Sequence, residues 1–236
     1  MLPGALLAAA VAGGVVATVL GDRGSRGLAA PGVRSVKTLV PVLLLLALGA
    51  ASILSEGPLP HPLLLFAVGL AATAVADWLL APVDNAATFV PGLAAFLAGY
   101  ALYGAALLFW WQAGEAGAGG RVPAARVVAV YSGVAVIGLL QFARLTAVPA
   151  GLRAPLLGYL IVVSNLLAGA VLLLLAEPSL ATVTAGVGAL SIYVSDSLIA
   201  HNLFRQRLPR EELWIMPSYY LGQALMTLAA LQLVGF

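Results

Sequence analysis

The sequence predicts an all-α fold, a polytopic membrane protein whose residues 1–236 form one domain, a single bundle of eight transmembrane helices. Three observations carry that prediction. Of the 236 residues 62% are hydrophobic and only 8% are charged; a soluble domain carries roughly 25% charged residues to cover its water-facing surface. The apolar residues fall in eight long runs, and a spanning helix needs about 20 of them. The basic residues fall in alternate breaks between the runs, as a chain crossing the membrane repeatedly requires.

In chain order the predicted spans are residues 2–20, 36–54, 62–80, 88–111, 124–140, 154–176, 180–202 and 217–234. The first begins MLPGALL, without the basic residues that open a secretory signal, so it is read as a mature helix. The break at 21–35 is the longest near the N-terminus, and 112–123 (QAGEAGAGGRVP) reads as a Gly/Ala-rich turn. With eight spans, the first, third, fifth and seventh loops share one side. That side holds Arg23, Arg26, Arg34, Lys37, Arg144, Arg153, Arg205, Arg207 and Arg210, nine of the eleven basic residues. Arg121 and Arg126 fall on the other. Basic loops face the cytoplasm, so both termini are predicted outside. Trp78, Trp110, Trp111 and Trp214 stand near span ends and read as interfacial anchors. Ten Arg against one Lys fit a GC-rich genome, and the expected location is a bacterial plasma membrane.

Composition excludes several kinds of chemistry. With no Cys there is no disulfide, thiolate ligand or cysteine nucleophile. Two His and nine mostly scattered acids give poor support for a metal site. No basic patch with interleaved aromatics suggests nucleic acid. Ser195 precedes Asp196, but there is no GxSxG and no His placed for a triad. The expected partners are lipids, and no cofactor is implied.

Two of the nine acids, Asp77 and Asp196, lie inside apolar runs, while the other seven fall in the breaks. A carboxylate at the centre of a membrane helix costs about 2.5–3.5 kcal/mol on insertion scales, so one that is kept faces the protein interior. Both are predicted in the cytoplasmic half. At the same depth come Lys37, Tyr219, Tyr220, Gln223, Gln141, Ser164 and Asn165, with Tyr100 and Tyr103 near mid-membrane. Together they predict a polar cavity open to the cytoplasmic leaflet. Tyr219 and Gln223, four apart, share a helix face, as do Tyr100 and Tyr103, three apart. Tyr193, three before Asp196, is expected to donate to its carboxyl. Two aspartates at unequal depth, with Lys37 nearer one, form the arrangement for one acid and one anion. The rival reading is a small transporter using the aspartates as a proton or cation relay. Transporters bind at the midplane between repeated halves, whereas here the polar groups gather toward one leaflet without a convincing repeat.

Several segments resemble those of YhhN-type membrane proteins, the lysoplasmalogenases. They are Lys37-Thr38, Gly69 with Ala76-Asp77-Trp78-Leu79-Leu80, Phe96 with Tyr100 and Tyr103, Ser195-Asp196-Ser197-Leu198, and Tyr219-Tyr220-Leu221-Gly222-Gln223. Their order and spacing agree with the family over residues 37–223. Two positions depart from it: Ala76 stands for a Gly and Tyr100 for a His. The resemblance implies hydrolysis of the vinyl ether bond of lysoplasmalogens, releasing a fatty aldehyde and a glycerophospho-amine. It implies Asp77 and Asp196 as catalytic residues, with Lys37, Tyr100, Tyr103, Ser195, Tyr219, Tyr220 and Gln223 binding or positioning, a set to which the depth of Asn165 adds that residue. The substitution at Tyr100 leaves a lipid-binding relative without activity as a further alternative.

Overall fold

The structure, a computed structural model, describes residues 9–14, 31–54, 60–80, 86–116 and 122–235. The side chains of residues 31–38, and so that of Lys37, lie outside the described set, as does most of the first predicted span. Among the described residues there is no strand. Residues 9–14 are helical (α1). They are followed by α2 (Pro31–Leu54), α3 (His61–Leu80), α4 (Ala86–Ala116), α5 (Ala124–Ala143), α6 (Ala150–Ala176), α7 (Leu180–Phe204) and α8 (Glu212–Leu233).

Among the described residues, five stretches are long and apolar enough to cross a membrane: His61–Leu80, Thr88–Ala113, Ala124–Ala143, Ala150–Ala176 and Leu180–Phe204. The protein is thus a polytopic helical membrane bundle. In α2 the apolar stretch is shorter, Leu39–Ile53. Differences from the predicted bounds lie at the ends. Helix α4 runs to Ala116, through the first part of the Gly/Ala-rich segment; Gln112, Ala113 and Glu115 are good helix formers that carry it past the glycine between them. Helix α7 begins with a reciprocal cap. Ser179 Oγ accepts from the Thr182 N–H, and Thr182 Oγ1 accepts from the Ser179 N–H, which satisfies two donors at the helix start.

The packing follows a ring. Helix α2 packs on α3, α3 on α4, α4 on α6, α6 on α7, α7 on α8, and α8 returns to α2. Helix α5 stands outside the ring against α6, and only its Val134 and Gly138 are buried. Sequence order therefore departs from ring order at one place, where α4 meets α6 directly. On one side of the bundle, the Ala147 N–H between α5 and α6 donates to the Phe204 carbonyl at the end of α7 (2.9 Å). At the opposite ends of these helices, Val122, Leu172 and Ala176 form a small apolar cluster with Trp111. The start of α6 thus meets the end of α7 on one side, and the end of α6 meets the start of α5 on the other. Trp78 and Trp214 point outward, as anchors do, whereas Trp111 is half-buried in that cluster.

Two seams of the ring are closed by glycine, which lets backbones approach where lipid gives no hydrophobic drive. Between α3 and α4, a Cβ on Gly69 would meet the Gly99 carbonyl oxygen at 2.8 Å, and one on Gly99 would meet that of Gly69 at 2.8 Å. Between α7 and α8, a Cβ on Gly222 would meet Ile192 N at 2.9 Å and the Gly188 carbonyl at 3.0 Å. These contacts are with backbone and cannot be relieved by a rotamer change. Gly222→Ala is therefore expected to destabilise the protein by about 1–3 kcal/mol, the usual cost of overpacking. Gly133→Ala, where nothing lies within 4 Å, should leave stability unchanged or raise it. Unfolding of both variants in detergent checks this, and equal stability of the two would contradict the seam assigned to Gly222.

Candidate functional site

The ring brings the two intramembrane acids to one interior. Asp77 comes from α3 and Asp196 from α7, and their carboxyls interact electrostatically. Asp77 stands three residues before the end of α3. Asp196 stands eight before the end of α7, deeper than the predicted span had placed it, because that helix continues to Phe204. The Asp77 side is only half-buried, whereas Asp196 is buried.

Asp77 is held by a chain of hydrogen bonds from two other helices. Tyr219 Oη on α8 donates to Asp77 Oδ2 (2.9 Å). Gln223 Nε2, one turn further along α8, donates to Tyr219 Oη (3.2 Å). Tyr103 Oη on α4 donates to Gln223 Oε1 (2.7 Å). The four-residue spacing of Tyr219 and Gln223 places them on one face of α8 as predicted. The ring of Tyr103 is fixed in turn by stacking on Phe66 of α3, with centroids 4.3 Å apart and planes at 13°. Tyr220 packs its ring on Tyr219 at 5.3 Å and lies within electrostatic reach of Asp77.

Asp196 has a different surrounding. Its Oδ2 is buried and has no hydrogen-bond partner among the described residues. The phenol of Tyr159, on α6, lies beside its carboxyl. Tyr100 stands between the two acids: it feels the charge of both Asp196 and Asp77 and neighbours Tyr159 and Tyr219. Its hydroxyl is also buried without a partner. Phe96 completes the wall, 5.7 Å from the Tyr100 ring and edge-on to Tyr219 at 5.8 Å. Tyr100 and Tyr159 have centroids 6.1 Å apart. Thus two carboxyls face an interior lined with phenols and aromatic faces. Such a set can give and take protons, and can stabilise a positive charge through both carboxylates and ring faces.

Not every candidate residue joins them. Asn165 Oδ1 accepts from Tyr131 of α5 (3.1 Å), and with Ser164 it lines a groove of ≈ 390 Å³ between α5 and α6. It lies six residues from Tyr159, which turns it about 120° around the helix at 3.6 residues per turn. Ser195 Oγ donates to the Ile215 carbonyl (3.1 Å), binding α7 to α8 rather than facing the acids. Tyr193 donates to Gln141 Oε1 of α5 (3.0 Å) instead of to Asp196. Gln141 also accepts from Ser197 (3.2 Å), so it tethers the peripheral helix. Tyr159 is the site residue that sequence reasoning missed. It is the only aromatic residue in α6, and that singularity was the available signal.

No curated protein and no solved structure matches the chain. The YhhN family model matches residues 34–230, a stretch that contains both acids, the phenols around them and Gln223, and the chain belongs to the YhhN family.

Proposed function

We propose that the protein is a lysoplasmalogenase-like hydrolase that cleaves the vinyl ether bond of a lysophospholipid inside the membrane, using Asp77 and Asp196. The YhhN family is associated with that activity in general. One observation carries the reading: two carboxyls from separate helices share an interior, one fixed by Tyr219 and the other presenting a buried oxygen without a partner.

The chemistry needs such a pair. A carboxylic acid gives its proton to the β-carbon of the vinyl ether, and the π electrons form the new C–H bond. The adjacent carbon becomes part of an oxocarbenium ion, stabilised by the second, anionic carboxylate. Paired carboxylates serve a related cation in glycosidases. Water adds to that carbon and gives a proton to the second carboxylate, leaving a hemiacetal. In the collapse, the second carboxyl returns its proton to the departing ether oxygen. The first carboxylate takes the hydroxyl proton of the hemiacetal. Aldehyde and glycerol alcohol leave, and both acids regain their starting states with one water consumed. Tyr103, Tyr219 and Gln223 position Asp77, and Tyr220 packs on them. Tyr100 replaces the family's histidine with a phenol that can still donate a hydrogen bond to substrate or water.

The proposal includes eight spans, with α1, α2 and α8 crossing as well, both termini outside, and a site open to the cytoplasmic leaflet of a plasma membrane. The lysolipid tail would lie among the helices. Its phosphate would sit near Lys37 and the basic loops around Arg144 and Arg205. The hydrogen bond that joins those two loops supports their sharing one side.

Purified protein should release aldehyde from a vinyl-ether lysolipid and none from the saturated ether analogue. Asp77→Asn and Asp196→Asn should each lower turnover at least ~100-fold, the lower end of general acid–base contributions, while remaining folded in detergent. Near-native turnover in either variant would sink the paired-carboxylate mechanism. Ion-dependent substrate uptake into proteoliposomes without aldehyde would favour a transporter.

The orientation has its own test. Reporter fusions at either terminus should read as external, and one in the 205–211 connection as cytoplasmic. A cytoplasmic C-terminus would move the site to the outer leaflet.

A further inference from the structure

The hydrogen-bond chain on Asp77 has a polarity. A phenol has one proton, so Tyr219 can donate to Asp77 only if it accepts its other hydrogen bond. Gln223 supplies that bond with its Nε2 (3.2 Å), which turns its Oε1 toward Tyr103. Tyr103 must then donate, and does (2.7 Å). Every proton in the chain points toward Asp77 Oδ2, which acts as an acceptor (2.9 Å). Were Asp77 the proton donor to Tyr219, the whole chain would reverse, with the amide nitrogen on Tyr103. Asp196 has the phenol of Tyr159 bonded to its carboxyl. Its buried Oδ2 has no partner, and an anionic oxygen buried without a donor is the costlier state.

Resting on the hydrolase reading above, we propose a division of labour set by this polarity. Tyr103 and Gln223 are positioning residues that act through Tyr219 to hold Asp77 as the anion, and Asp196 delivers the proton. Tyr159, beside the Asp196 carboxyl, aims that acid. In the sequence of steps, the Asp196 O–H breaks as the β-carbon C–H forms. Asp77 faces the resulting cation, then takes the proton of the attacking water. It returns that proton to the ether oxygen as the C–O bond breaks, while Asp196 recovers its own from the hemiacetal hydroxyl. The described groups within reach of Asp77 from the elements around it include Tyr100 and Tyr103 (α4), Tyr159 (α6), Asp196 (α7), and Tyr219 and Tyr220 (α8). Of these, Tyr219 bonds the carboxylate directly and holds it as the anion.

Two measurements on the full-length protein in detergent test this, both reading aldehyde release. The first is a double-mutant cycle, which isolates coupling between residues. Tyr103→Phe keeps the ring that stacks on Phe66 and removes only the hydroxyl; Gln223→Leu is the second variant. Each should lower kcat about 3- to 10-fold, the loss of one hydrogen bond, with KM unchanged. The loss should persist in an Asp196→Ala background and vanish in an Asp77→Ala background. A structural role would cost the same in both, and that result overturns the proposal. The second is chemical rescue with formate. The activity that formate restores to Asp196→Ala should rise as pH falls, following the undissociated acid. That restored to Asp77→Ala should rise with pH, following the anion. The opposite dependences overturn the division while leaving the hydrolase reading intact. Absence of aldehyde from the wild type overturns the hydrolase reading, and the division with it.

Discussion

The hydrogen bond from Tyr219 to Asp77 is the constraint around which the bundle is arranged. A carboxyl group in hydrocarbon finds no water, so the protein must supply its partners. Helices α8 and α3 are not neighbours in the ring, and the Tyr219–Asp77 bond joins them across its interior. The Tyr103–Gln223 bond joins α4 to α8 in the same way. A phenol is a rigid arm of fixed reach, so both bonds set the width of the ring. The glycine seams make that width attainable. Gly69 and Gly99 draw α3 and α4 together behind Tyr103, and Gly188 and Gly222 draw α7 against α8 behind Gln223. Packing and polar chemistry are thus one problem, because displacing either seam lengthens hydrogen bonds in the interior.

Most polar residues in the helices do not take part in that problem. Thr184, Ser191, Ser218 and Thr227 each donate to the carbonyl one turn earlier. Their hydroxyls are consumed locally and make no demand on neighbours. A second group ties helices pairwise, as Gln141 and Tyr131 secure α5 and Ser195 secures α8. What remains after these is the set around the two acids. Tyr100 Oη and Asp196 Oδ2 are two of four buried side-chain atoms without a partner among the described residues. The other two, Trp111 Nε1 and Gln232 Oε1, lie near helix ends. Two unmet groups beside each other's phenol neighbours, deep in the bundle, are what a site for a reacting polar group requires.

The same sorting shows what was legible in the sequence. Helix positions were, because 20 apolar residues in a row announce a span whatever surrounds them. Depth was legible only roughly, by counting residues to the nearest polar break, since α7 runs on to Phe204 and leaves Asp196 further from its end than the break suggests. Asp77, Asp196, Tyr219 and Gln223 were grouped on that basis and do meet. Azimuth was not legible. A helix that is apolar all round has no polar face from which to read its inward side. So Asn165 and Tyr193, at plausible depths, turn out to face α5, while Tyr159 faces the acids from a helix where only its being the one aromatic residue marked it. Ring order was equally hidden, because short connections favour packing of sequence neighbours, yet α4 meets α6 past a peripheral α5. The inward face is decided by where glycines allow close approach, a property of pairs of helices and not of one.

The composition of the interior bears on how such a site could accelerate a reaction. Its described walls are phenols, phenylalanines and one amide around two carboxyls, with no Arg or His side chain among them. A vinyl ether is neutral and apolar, so on the proposed reading it enters this space without a charge to desolvate. Positive charge appears only when the β-carbon is protonated. At that moment a fixed carboxylate and several ring faces gain an attraction that they did not have for the substrate. Interactions stronger in the transition state than in the ground state are those that raise turnover. Donors already oriented toward the carboxylate add no reorganisation at the reacting step. Tyr100, on the proposed reading, adds no positive charge of its own to this interior and leaves a hydroxyl to meet water or the ether oxygen.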